Sequence, residues 1–280
     1  MAIKLVVTDL DRTLLRNDGS ISQKTRDVFY RLKQRGVKCV IATGRSAVEA
    51  DYSVKAALAD EYIITYTGAR VTNIRTGEVV YDRFLDENIV IDILDMLREY
   101  TGIFCIVYAS GRTLVLPGSF ENTAHLTKHT EFFDAAKSQL AFEGDPVQYI
   151  NDTHIKVNKI FLMNLPNEQL DEIENRLGEM DGLSTMRTMP PGIDIVAQGV
   201  DKGCAVEALA QHLGLKNSEV MIFGDSKNDE AMFERGFFKV AVSNASPDII
   251  LKSDYITLSN NEDGVAAALE KLVLKDAPRS

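Results

Sequence analysis

The chain has 280 residues, 31 Lys and Arg against 41 Asp and Glu, and a net charge of −10. That balance argues against a nucleic-acid binder, whose affinity rests on a basic face that neutralises phosphates. A local positive site for a small phosphorylated substrate is still compatible with it. Hydrophobic residues at 45% and charged residues at 26% exclude a globally disordered chain, and the length suffices for two domains. Cys39, Cys105 and Cys204 are far apart and form no CxxC pair, against a disulfide framework or a cysteine zinc site. No apolar run approaches the ~18 residues that span a bilayer. Asp9 interrupts the first apolar run before a signal-peptide core can form. We therefore expect a cytoplasmic protein in a reducing compartment, with no membrane, nucleic-acid or obligate protein partner.

The apolar run Ile3 to Thr8 predicts a buried strand ending at Asp9. Ser22 to Arg35 carries Val28, Phe29 and Leu32 at helical spacing, with Ser22 as N-cap and Gly36 as stop. Val37 to Ala42 reads as a second strand, Ala47 to Ala59 as a helix and Tyr62 to Tyr66 as a third strand. That alternation predicts a parallel sheet with helices on both faces. The rhythm then lapses into hairpins, at Val71 to Tyr81 and at Phe104 to Leu116. Around them lie a helix from Asn88 to Tyr100, a strand-like Ile155 to Leu165, a helix from Asn167 to Met180 and a strand at Ser184 to Met189. From Asp201 the first rhythm returns, with a strand at Val220 to Phe223, another at Phe238 to Val242 and a closing helix at Asp263 to Leu274. The expected fold is α/β: a Rossmann-like parallel-sheet core at residues 1–82 and 192–280, interrupted by an inserted α+β cap domain at 83–191.

Four polar clusters fall at strand ends or helix starts, the side of an open α/β sheet where ligands bind. Asp9-Leu10-Asp11-Arg12-Thr13-Leu14 ends the first strand. Alternation along an extended backbone lets Asp9 and Asp11 point the same way. Two carboxylates 4 Å apart repel by roughly 4 kcal/mol at an effective dielectric constant of ~20, which a proton or a divalent cation relieves. Taken alone, the pair also suits a solvated acidic turn. Thr43-Gly44-Arg45 offers a hydroxyl and backbone N–H groups for a phosphoryl oxygen, or a plain helix cap. Asp201-Lys202-Gly203 opens a helix, where Lys202 is either a fixed charge or an ordinary surface lysine. Gly224-Asp225-Ser226-Lys227-Asn228-Asp229 suits an oxygen-ligated hard cation such as Mg²⁺, or a capping loop. His125 and His129 stand four apart but have no HExxH glutamate and no third ligand, so they read as ordinary polar residues.

Taken together and in this order, the four clusters resemble the haloacid dehalogenase superfamily of phosphotransferases. The length and the inserted layer resemble its Cof-type sugar-phosphatase branch. Thr67-Gly68-Ala69, Asn244-Ala245 and Glu262-Asp263-Gly264-Val265 are similar to further positions that branch marks. Two departures stand out. Arg12 replaces the usual Gly after the second Asp, and Thr67 stands where Asn is common.

The resemblance implies that Asp9 is the nucleophile and forms an aspartyl-phosphate, while Asp11 is the general acid and then base. It implies that Thr43, Gly44, Leu10 and Asn228 hold phosphoryl oxygens and that Lys202 offsets their charge. Mg²⁺ is expected on Asp9, the Asp11 carbonyl and Asp225, with Asp229 orienting from behind. The expected activity is hydrolysis of a small phosphorylated metabolite, such as a sugar phosphate, with the cap closing over the site. The alternatives are a phosphomutase of the same class and a catalytically silent phosphosugar-binding regulator.

Overall fold

The structure, a computed structural model, describes residues 2–57, 61–122, 134, 136–141, 144–163, 165, 167–188 and 192–274. His125, His129, Met189 and the tail Lys275 to Ser280 lie outside the described residues. In chain order the strands are β1 Leu5–Asp9, β2 Lys38–Ala42, β3 Tyr62–Thr65, β4 Arg70–Asn73, β5 Val79–Asp82, β6 Phe104–Ala109, β7 Arg112–Val115, β8 Val157–Met163, β9 Leu183–Thr188, β10 Gly192–Ala197, β11 Val220–Gly224, β12 Phe238–Ala241 and β13 Tyr255–Ile256.

The chain divides into two compact units. The first comprises Met1–Arg45, Ala50–Tyr81 and Asp201–Ser280, and the second Asp82–Val200 with Ser46–Glu49. In the first unit, eight strands form one sheet in the order β13-β12-β11-β1-β2-β3-β4-β5. The run from β13 to β3 is parallel, and β4 pairs antiparallel with β3. β1 lies between β2 and β11, and every residue in it is buried. A strand covered on both faces needs an unbroken apolar run, which is why Leu5-Val6-Val7 does not alternate with polar residues. Register then sets the site: Asp9 lies opposite Ala42 of β2, and Thr8 lies opposite Phe223 of β11. The carboxyl ends of three adjacent strands therefore deliver Asp9, Thr43 and Asp225 side by side.

The helices follow local signals. Ser22 caps Gln23–Gln34 by accepting the Thr25 N–H at 3.1 Å. Gly36, at φ +74°, follows the end of that helix. The helix buries Val28, Phe29 and Leu32, as their spacing requires. Lys202–His212 is capped by Asp201, whose carboxylate accepts the Cys204 N–H at 2.7 Å.

The second unit has its own antiparallel sheet, ordered β7-β6-β8-β10-β9. Its separate core contains Val107, Ile160, Leu162, Ile193 and Ile195. This corrects the expected boundary at residue 192. Residues 192–200 fall in the second unit, because β10 pairs with β8 on one side and β9 on the other. The alternation of Ile193, Asp194 and Ile195 was the available signal. Lys159 and Asp194, each about 5% exposed at the side chain, form an ion pair at 2.6 Å in this sheet, and Lys159 also lies over the rings of Phe161 and Tyr108.

Removing one partner of a buried ion pair strands the other charge. We expect Asp194→Ala to lower the second unit's stability by about 3–5 kcal/mol, and Lys159→Met with Asp194→Leu to recover most of it. Hydrogen exchange of the β8 and β10 amides measures this, and equal protection in the single variant and wild type would contradict it.

Candidate active site

The site lies in the first unit. Lys202 is fully buried, and its ammonium donates to Asp9 Oδ1 at 2.6 Å and to Asp229 Oδ1 at 2.7 Å. It is therefore not a surface lysine. Burial opposes its charge, but Asp229 and Asp9 outweigh burial and its pKa is raised. The second Asp229 oxygen accepts the N–H groups of Asp225 at 2.9 Å and Ser226 at 3.2 Å. Gly224 makes room for that carboxylate, since a Cβ there would sit 2.6 Å from the Asp229 Cβ.

Asp225 is 3% exposed and its Oδ1 accepts the Thr13 hydroxyl at 3.1 Å. Thr13 lies in the first motif and received no role from the sequence; its place in that motif was the only signal. Burial first and Asp229 second push the Asp225 carboxyl up to about 6. The same two causes, in the same order, hold Asp9 well above the usual carboxylate range. Carboxylate oxygens of Asp9, Asp225 and Asp229 lie within 4.8 Å of one another, and all three residues are buried. Lys202 alone does not balance them, so this donor set fits a hard divalent cation. Both Asp229 oxygens are already engaged. Asp9 Oδ2 makes no hydrogen bond among the described residues. Asp9 and Asp225 are thus the better direct ligands, and Asp229 braces them.

Asp11 differs from its neighbour. The chain leaves the strand at Leu10, and the Asp11 side chain is 51% exposed. The Arg45 guanidinium grips it, with Nε 3.0 Å from Oδ2 and Nη2 on Oδ1. The arginine of the second cluster is therefore locked to the proposed proton donor. Thr43 is buried, and its hydroxyl accepts the Arg45 N–H at 3.2 Å. Gly44 sits between these two residues. Leu10 is buried beside Asp9. Asn228 is half-buried, with its side-chain oxygen accepting the Ser226 hydroxyl at 2.8 Å.

A tight turn at Tyr66–Gly68 joins the Thr43-Gly44-Arg45 loop to the lysine helix. The N–H groups of Tyr66 and Thr67 donate to the carbonyls of Arg45 and Thr43 at 3.1 and 3.2 Å. Gly68, at φ +98°, lies so close to the lysine helix that a Cβ would stand 2.2 Å from the Asp201 carbonyl oxygen. Thr67, at φ +58°, and Arg12, at φ +64°, both take the left-handed conformation. Asn and Gly tolerate that conformation far better than a branched or long side chain, which gives both family preferences a backbone cause.

The model of the haloacid dehalogenase-like hydrolases matches residues 6–269. YxeH of Bacillus subtilis (strain 168) is 30% identical over 281 residues, covering 97% of this chain and 98% of its own length. The 5-amino-6-(5-phospho-D-ribitylamino)uracil phosphatase YcsE of the same organism is 28% identical over 272 residues, covering 97% of this chain and 96% of its own. The crystal structure of a haloacid dehalogenase-like hydrolase from Bacteroides thetaiotaomicron superimposes with a TM-score of 0.82 at 26% identity, over 96% of this chain and 99% of that one. The chain belongs to the haloacid dehalogenase-like hydrolase family, in its Cof-type branch, and is a phosphatase. Among the described residues, no helix is long and apolar enough to cross a membrane.

The raised Asp225 pKa has a sign. A carboxyl that is harder to ionise when folded stabilises the fold least above its folded pKa, so its contribution is lost as pH rises from about 4 to about 6. Without divalent cation, we expect Asp225→Asn to gain stability relative to wild type across that window. Thermal melts of both proteins from pH 4 to pH 7 test this; a difference independent of pH would contradict it.

Proposed function

We propose that the protein hydrolyses a small phosphorylated metabolite in a Mg²⁺-dependent reaction that passes through an aspartyl-phosphate on Asp9. The observation that carries this reading is the buried Asp9–Lys202–Asp229 chain beside Asp225, with the half-exposed Asp11 next to it. A named substrate of one relative, a phosphorylated ribitylamino compound, supports a carbohydrate-like leaving group, such as the sugar of a sugar phosphate.

An Asp9 carboxylate oxygen attacks phosphorus as the bond from phosphorus to the leaving oxygen breaks. Asp11 gives its proton to that oxygen, and the alcohol departs. Water then attacks the aspartyl-phosphate, Asp11 takes a proton from it, and the bond from phosphorus to Asp9 breaks to release inorganic phosphate. Lys202 offsets charge on Asp9 and on the phosphoryl oxygens, while Thr43, the Leu10 and Gly44 N–H groups and Asn228 hold those oxygens in place. Arg45 aims the Asp11 carboxyl. Asp9, the Asp11 carbonyl and Asp225 would hold Mg²⁺, which supplies charge neutralisation to the phosphoryl group when bound.

Release of phosphate from p-nitrophenyl phosphate tests the reading. We expect turnover with Mg²⁺, none with EDTA, and a loss of at least ~10³-fold in Asp9→Asn, as when a nucleophile is removed. Equal release by wild type and Asp9→Asn would remove the assigned nucleophile. Lys202→Ala should lower turnover by about 10²-fold or more, consistent with loss of a preorganised charge; an unchanged rate would take Lys202 out of the reaction. With a sugar phosphate as substrate, free phosphate without an isomeric phosphate separates hydrolysis from mutase transfer.

A further inference from the structure

Asp11 also lines a cleft of about 570 Å³ within the first unit, bordered by Arg12, Arg16, Arg45, Asn244 and Asn261. That volume accommodates a small metabolite. Its three arginines are not equivalent. Arg16 is neutralised in place, donating through Nη2 to both Asp263 oxygens at 2.9 Å. Arg45 is held by Asp11. Arg12 has a side chain 66% exposed, and among the described residues its ionic contact is to Asp225 Oδ2, at 3.9 Å. That distance is beyond a hydrogen bond, and Asp225 is one of the two carboxylates better placed to take a cation.

The backbone holds Arg12 in position. Its carbonyl accepts the Asn244 side-chain N–H at 2.9 Å, the Asn244 side-chain oxygen accepts the Asn260 N–H at 2.9 Å, and Asn260 donates on to the Leu15 carbonyl at 2.9 Å. This amide brace ties the left-handed Arg12 to Asn244, Asn260 and Leu15, which also line the cleft. A leaving group must bring its oxygen to Asp11. The rest of it then has the cleft before it and the Arg12 guanidinium beside it.

We propose that Arg12 forms a specificity subsite for a second anionic group on the leaving part of the substrate, a phosphate or a carboxylate, so that the preferred substrates are doubly anionic phosphomonoesters. A guanidinium fork suits either oxyanion through paired, charge-assisted hydrogen bonds. This proposal rests on the hydrolytic reading above.

The test compares kcat/KM within two substrate pairs, with Mg²⁺ present. Glucose 1,6-bisphosphate against glucose 6-phosphate reports a second phosphate, and 3-phosphoglycerate against glycerol 3-phosphate reports a carboxylate. p-Nitrophenyl phosphate checks hydrolysis itself. In wild type we expect a preference of about tenfold or more for the doubly anionic member of at least one pair, the worth of one charge-assisted contact. The preferring pair identifies the group. Arg12→Gln should bring that ratio to within about twofold, chiefly through KM, and Arg12→Lys should retain part of it. Gln keeps a side chain at the strained position, so the comparison is not confounded by relief at φ +64°. Ratios near one in both pairs, or a preference unchanged in Arg12→Gln, would overturn the subsite while p-nitrophenyl phosphate hydrolysis leaves the function standing. Absence of phosphate release from every compound would overturn both.

Discussion

The buried ammonium of Lys202 is the interaction on which the site depends. Taking a lysine fully out of water is unfavourable unless carboxylates meet it, and here two do so, Asp9 and Asp229. Each partner is fixed independently. Asp9 stands at the end of the central strand, and Asp229 is held by N–H groups of its own loop. The lysine therefore sets the Asp9 carboxylate in one orientation, with Oδ1 occupied and Oδ2 without a hydrogen bond among the described residues. The third acid, Asp225, leaves the cluster with more negative than positive charge. The pocket thus carries an excess of negative charge that a cation would relieve.

A second constraint is close backbone contact. The Tyr66–Gly68 turn touches the Thr43-Gly44-Arg45 loop on one side and the first residues of the lysine helix on the other. It fixes the spacing between Thr43 and Lys202 without placing a side chain between them. The left-handed Thr67 is strained there, and such strain persists only where the surroundings over-determine the conformation. Two backbone hydrogen bonds and the contact at Gly68 provide that determination.

Much of this was legible in the residues. Unbroken apolar runs ending in Asp9, Thr43 and Asp225 are what fully buried parallel strands must look like, and Ser22 marked its helix start by the usual capping chemistry. The return from the insertion was harder to place. β10 begins just after a proline pair and carries a charged residue, Asp194, that is buried only because Lys159 lies across the sheet. The burial of Lys202 was equally hidden, since its two acids stand 193 and 27 residues away in the chain. Local sequence also gives no hint that Arg12 takes a left-handed backbone, because the Asn244 side chain that holds it is 232 residues distant.

The central position of β1 bears on how the molecule is made. Its partner β11, and with it Asp225 and Asp229, leaves the ribosome only after the whole second unit has been synthesised. Asp9 is translated well before its flanking strand β11 and before its counter-charge Lys202, which stands 193 residues further along the chain. Until then the nascent first unit has an open edge at β1, while residues 82 to 200, which make up the second unit apart from Ser46–Glu49, can fold first. A product that stops before residue 225 therefore lacks two of the three clustered carboxylates, Asp225 and Asp229, and cannot assemble the buried acidic group around Lys202.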